Sequence, residues 1–179
     1  NSPRNLHLGY GVCLSSQMIY FARVLADMAD VLNEPAKARD YRDQAEVRAQ
    51  AVSALMWNPA TGMFHDRRFD GTLVPFKTVM GFAPLQAGFP TGDQLAGMVA
   101  QLENPTTFNR PVRVPSLAAD EPDYVPEGEY YRGGVWPYTN GMVVEGLEQC
   151  GQPELAGRIA RNYWAAAVKA FEDTGTVWE

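Results

Sequence analysis

Carboxylates are the residues of this sequence best suited to chemistry, because paired Asp and Glu side chains can act as general acid and general base. Other nucleophiles and bases lack a setting. His7 and His65 stand alone, and Ser15 and Ser16 have no nucleophile-elbow context. Gly133 and Gly134 do not fit a phosphate-binding loop. The run Asp120-Glu121-Pro122-Asp123-Tyr124 is rich in oxygen ligands but follows no calcium-loop pattern, so no metal is expected. Glu145 and Glu148 fall on a helical stretch and read as surface or supporting groups. Cys13 and Cys150 are far apart and match no metal spacing; buried free thiols are expected.

These groups must be positioned by helices. From Val12 to Leu32, Leu14, Met18, Phe21, Ala22, Leu25, Ala29 and Leu32 recur at helical spacing, with Ile19, Val24 and Met28 widening the stripe. That helix is expected to be deeply buried. Pro35 starts a second helix reaching about Met56, whose charged residues mark a solvated face. Asp70-Gly71 between Phe64–Phe69 and Thr72–Phe76 predicts a short hairpin. A short buried helix is expected from Thr78 to Leu85. Thr91-Gly92-Asp93-Gln94 has the form of a capping box starting a helix to about Glu103. Residues 104–135 form a long irregular stretch, and its aromatic content argues for an ordered, functional loop. Pro137 to Cys150 and Pro153 to about Asp173 close the chain as another helix pair, with Gly151 and Gly175 as stops. Helical hairpins of unequal burial suggest an all-α fold, part of an α/α toroid.

Composition narrows the function classes. The 179 residues carry a formal net charge of -6, which disfavours nucleic acid as a partner. No apolar run is long enough for a membrane span, and no basic stretch followed by an apolar run opens the chain. The expected location is the cytoplasm. Four Trp and eight Tyr suit a carbohydrate site, although aromatic side chains also fill cores.

Three segments carry a resemblance. Asn1-Ser2-Pro3-Arg4 resembles the tail of an Asp-Asn-Ser-Pro-Arg motif. Tyr130-Tyr131-Arg132-Gly133-Gly134-Val135-Trp136-Pro137 is similar to a Tyr-Trp-Arg-Gly-Pro-Val-Trp-Pro motif. Thr174-Gly175-Thr176-Val177-Trp178-Glu179 resembles the start of a Gly-x-x-Trp-Glu-x-Tyr motif. All three occur in this order in glycoside hydrolase family 63 and its mannosylglycerate-hydrolase-like relatives, cousins of trehalases. Val114-Pro115-Ser116-Leu117, followed by Asp120 and Tyr124, and Pro84-Leu85 before the fourth helix, fit the same relatives.

The resemblance implies one domain over residues 1–179, the C-terminal portion of an (α/α)6 glycosidase barrel with long active-site loops. It implies an inverting α-glycosidase without a cofactor, acting on a small carbohydrate. Glu179 matches the general base; the general acid would immediately precede Asn1. Inverting carboxyl groups stand roughly 6.5–9.5 Å apart, so the two chain ends are expected to face one pocket. Arg132, Trp136, Tyr131, Arg4, Asn1 and Trp178 are the implied substrate contacts. An ion pair with Asp123, Glu127 or Glu129 competes for Arg132, core packing for Trp136 and a structural salt bridge for Arg4. Tyr131 replaces the family's Trp, Gly134 its Pro, and Cys13 stands where relatives often carry Asp. A sugar epimerase of the same fold and a non-catalytic carbohydrate-binding scaffold are the alternatives.

Overall fold

Proline sets three helix starts in the computed structural model, which describes residues 9–177. Pro35, Pro137 and Pro153 occupy the first turns of α2 (Pro35–Met56), α5 (Pro137–Gln149) and α6 (Pro153–Thr174). The missing N–H of proline costs nothing there, and its fixed φ suits the helix. Gly151 and Gly175 follow α5 and α6 with φ of 73° and 74°, the left-handed backbone that ends a helix without a Cβ penalty. With α1 (Val12–Val31), α3 (Ala83–Gln86) and α4 (Gly92–Glu103), the described helices form two hairpins, α1–α2 and α5–α6, around a long middle segment, residues 57–136, that contains α3 and α4.

The face that α1 buries differs from the expected one. Val12, Ser16, Ile19, Ala22, Ala26 and Ala29 face inward, against the Ala38, Ala45, Ala49 and Val52 face of α2. Small residues on both sides let two backbones approach closely. The large apolar stripe stays outside: Leu14, Met18, Phe21, Met28 and Leu32 are exposed, Phe21 at 56%. The helix is therefore apolar on two faces, and only the alanine-rich one is covered among the described residues.

The middle of the chain is the pillar. A 3₁₀ turn (Val79–Phe82) runs into α3, and Val79 through Leu85 are all buried. This matches the short buried helix predicted for Thr78–Leu85. Phe82 meets Phe108 edge-on at 4.9 Å. Each such fully buried side chain contributes about 1.5–3 kcal/mol. Gly146 of α5 lies against Leu85 and Gln86, so α3 and α5 touch backbone to backbone.

The helices α1 and α5 run in the same direction. Gln17 Nε2 donates to Tyr138 Oη at 2.9 Å, Tyr20 Oη to Glu145 Oε1 at 3.2 Å, and Arg23 and Gln149 both reach Gly88. Their N-terminal ends thus share one end of the molecule, and α2 and α6 return on the outside.

One local sequence expectation is met and two are corrected. The hairpin around Asp70-Gly71 forms and is short: Arg67 bridges Leu73, the Arg68 N–H donates to the Thr72 carbonyl and the Val74 N–H to the Asp66 carbonyl, both at 2.8 Å. Arg67–Arg68 (β4) also pairs with Gly9–Tyr10 (β1), antiparallel, and a second ladder joins Trp57–Asn58 (β2) to Met63–Phe64 (β3). Thr91 makes no side-chain cap: Gly92 enters α4 with φ of 51°, and the Thr91 carbonyl, not its hydroxyl, takes the Gln94 N–H at 3.1 Å. Cys13 and Cys150 are only half-buried, not buried as expected.

Candidate functional site

The start of α1 is capped from far away. Gly11 has no side chain to accept the orphan N–H groups of the first turn, and Asp66 does so instead: Val12 N–H donates to Asp66 Oδ1 at 2.8 Å. Asp66 is buried. Together with the β1–β4 ladder it ties the chain entering α1 to the 66–68 segment.

At the start of α5 lies a group of three rings. Tyr131 and Trp136 stack with centroids 5.5 Å apart and planes 18° from parallel, and Tyr130 meets both edge-on, at 4.9 and 5.4 Å. The outer face of such a stack is flat and apolar and suits the C–H face of a sugar ring. Arg132 sits beside it. Its Nε donates to the Asp123 carbonyl at 3.1 Å and its Nη1 to Glu129 Oε2 at 3.1 Å, so one of the three anticipated ion pairs is formed. The guanidinium is held at its edge by these bonds while remaining partly exposed.

The loop presenting these groups is tightly woven. Tyr130, a non-glycine residue, has φ of 43°. Gly133 has φ of 149°, and a Cβ there would stand 2.2 Å from the Val125 carbonyl oxygen. Only glycine fits. Ser116, 2% exposed, is bonded to three residues of the loop. A cleft of about 430 Å³ lies beside it, lined by Arg110, Tyr124, Glu127, Gly133, Gly134 and Val135; Arg132 and Trp136 do not border it.

The structure brings Arg132, Tyr131 and Trp136 together, next to the end where α1 and α5 begin. Asn1, Arg4, Trp178 and Glu179 lie outside the described residues, and so does the expected closeness of the two chain ends. The acidic run is engaged elsewhere: Asp120 pairs with Lys77, and Glu121 Oε1 accepts the Lys77 N–H at 3.0 Å. Among the described residues no cluster of three His, Cys, Asp or Glu side chains could hold a metal ion. No described helix is long and apolar enough to cross a membrane. Sequence reasoning missed Asp66 and Ser116 as supports. Gly11 at a helix start was a signal for the first, since a glycine N-cap leaves the cap to another residue.

The chain is similar to known proteins along most of its length. The family model of the mannosylglycerate hydrolase MGH1-like glycoside hydrolase domain matches residues 3–178. Mannosylglycerate hydrolase MGH1 of Selaginella moellendorffii is 30% identical over 126 residues, 67% of this chain and 25% of that protein. A structure of family 63 mannosylglycerate hydrolase from Thermus thermophilus, in complex with Tris and D-glycerate, superposes with a TM-score of 0.73 at 26% identity, covering 92% of this chain and 38% of that one. Neutral trehalase from Saccharomyces cerevisiae, at 18% identity, shares the fold with a TM-score of 0.73 over 93% of this chain and 32% of its own. The six described helices are thus part of an (α/α)6 toroid, and the chain spans well under half the length of these relatives. The chain belongs to the mannosylglycerate hydrolase MGH1-like glycoside hydrolase family.

Proposed function

We propose that the longer polypeptide carrying this segment hydrolyses an α-glycosidic bond of a small glycoside with inversion, and that residues 1–179 alone do not. The observation that carries the reading is the family match across residues 3–178, supported by the three-ring wall and Arg132 gathered at the start of α5. In this reading Tyr131 and Trp136 support the apolar face of the sugar, and Arg132 donates to its hydroxyls. Asn1, Arg4 and Trp178 complete the sugar contacts. Glu179 is the general base: it takes a proton from water, which attacks the anomeric carbon. An Asp immediately before Asn1 is the general acid and protonates the departing oxygen. One displacement leaves the configuration inverted, and a separation of roughly 6.5–9.5 Å between the carboxyl groups leaves room for the water. A hexose bearing a small acidic aglycone is the favoured substrate class, because the Thermus relative was crystallised with D-glycerate.

Kinetics on the full-length protein test this. Glu179→Gln is expected to lower kcat by about a thousandfold and leave folding intact, the range of general base catalysis. Proton NMR of the first product should show the β-anomer from an α-glycoside. An initial α-anomer, or a mutant that keeps most of its rate, removes Glu179 from this role. A residue other than Asp or Glu before Asn1 would favour a carbohydrate-binding scaffold.

A further inference from the structure

We propose that Ser116 is the positioning residue of the sugar-facing loop: its hydroxyl and backbone lock Tyr130–Gly134, so that Tyr131 and Trp136 stack face to face beside Arg132. The proposal rests on the glycosidase reading for its meaning in catalysis, but its geometry stands apart from it.

The buried Ser116 bonds to the loop through its hydroxyl and its backbone. Its hydroxyl donates to the Tyr130 carbonyl at 3.3 Å and accepts the Gly133 N–H at 3.1 Å. Its backbone N–H donates to the Gly134 carbonyl at 2.9 Å. Its own carbonyl accepts the Val79 N–H at 3.0 Å, which anchors the lock to the first residue of the buried 3₁₀ turn. A serine hydroxyl suits this place because it both donates and accepts.

The Tyr130 carbonyl is where the lock acts on the rings. Besides Ser116 Oγ it receives the Gly134 N–H at 3.2 Å and the Trp136 indole N–H at 3.3 Å. The direction of that carbonyl therefore sets the tilt of Trp136, and through the stack the tilt of Tyr131. Tyr130 holds this carbonyl with a left-handed backbone, which a tyrosine adopts only when its surroundings impose it. Without the Ser116 hydroxyl, Tyr130 can relax toward negative φ, swing its carbonyl and release the indole. The two rings would then no longer be held parallel in the stack. The effect should fall on sugar binding and spare the proton transfers, because Ser116 is buried behind the loop and acts only through the tilt of the rings.

The test compares Ser116→Ala and Ser116→Thr with wild type in the full-length protein, with Trp136→Phe as a reference for loss of the stack. Near-ultraviolet circular dichroism reads the coupled rings directly. Ser116→Ala should lose the part of the signal that Trp136→Phe also loses, and Ser116→Thr should keep it. With an aryl α-glycoside turned over by the wild type, Ser116→Ala should raise KM about tenfold, the effect of one buried hydrogen bond, with kcat within about threefold. Ser116→Thr should recover most of that loss. If Ser116→Ala does not fold, Ser116→Cys keeps the volume with weak hydrogen bonding and is read the same way. A variant with unchanged dichroism and unchanged KM overturns the proposal, and so does a lowered unfolding midpoint as the sole effect. A wild type that turns over no α-glycoside would sink the glycosidase reading, while the dichroism alone would still decide the role of Ser116.

Discussion

Two glycines of α5 should respond in opposite directions to the same substitution. Gly141 is exposed, and a Cβ built on it meets nothing within 4 Å. Gly141→Ala should therefore show the ordinary helical gain of about 0.5–1 kcal/mol. Gly146 sits on the same helix with the same intrinsic gain available. A Cβ there would stand 2.5 Å from the Gln86 amide nitrogen and 2.6 Å from the Leu85 carbonyl carbon. Those are backbone atoms and cannot swing aside. The helix α3 cannot retreat either, since Leu85 is fully buried, Gln86 Nε2 is bonded to Glu145 Oε2 at 2.7 Å, and Arg23 holds the Ala87 carbonyl. Overpacking of this kind costs about 1–3 kcal/mol. Setting that against the helical gain leaves Gly146→Ala less stable than wild type by up to about 2.5 kcal/mol. Urea unfolding of the full-length protein, analysed by linear extrapolation, would separate the two variants. Equal stability of Gly141→Ala and Gly146→Ala would refute the argument that α3 and α5 meet through their backbones.

Asp66→Ala should cost about 1–3 kcal/mol by leaving the Val12 N–H without its buried acceptor, and Asp66→Asn, which keeps an acceptor, should cost less in the same unfolding assay. Burial lowers the His65 imidazole below its ordinary value of 6.5, only partly offset by its bond to the Val74 carbonyl. The unfolded chain then takes up this proton first, so the contribution of His65 is fully present above about pH 6.5 and is lost as pH falls toward the lowered folded value. His65→Gln should flatten the decline of stability below that point, and an unchanged slope would exclude His65 as its source. Phe21→Ser should cost about 2–4 kcal/mol in the full-length protein if the exposed stripe of α1 is covered there, against about 0.5 kcal/mol for a surface site; the small value would mean that the stripe faces water.

Helix ends were legible because Pro and Gly act through local backbone geometry alone. The predicted start of α2 at Pro35 and its end near Met56 match, as do the stops at Gly151 and Gly175. The inward face of α1 was not legible. Periodicity finds an apolar stripe but cannot tell which of two stripes meets a neighbour, and here the alanine face won because α2 offers alanines opposite. The capping box failed because Gly92 takes a left-handed φ that no pattern of residue types reveals. Of the candidate site, Tyr131, Arg132 and Trp136 came from a contiguous motif and are gathered in one loop. Asp66 and Ser116 act on residues far away in sequence, 54 positions for the Asp66 cap, and long-range hydrogen bonds leave no local signature.

The parallel pairing of α1 and α5 bears on the order in which the chain folds. Each hairpin closes over a turn of about three residues, between α1 and α2 and between α5 and α6. The bonds that join α1 to α5 span 121 and 125 positions. Loop-closure entropy grows with the length of chain to be closed, so the hairpins can form early and independently, and the α1–α5 seam must wait for both. Substitutions within a hairpin should then slow folding, whereas loss of Gln17 or Glu145 should mainly speed unfolding. The end where α1 and α5 begin, beside the three rings, is thus assembled last and opened first. A protein pushed toward its transition midpoint should lose the near-ultraviolet dichroism of the three rings there while most of its helical dichroism persists.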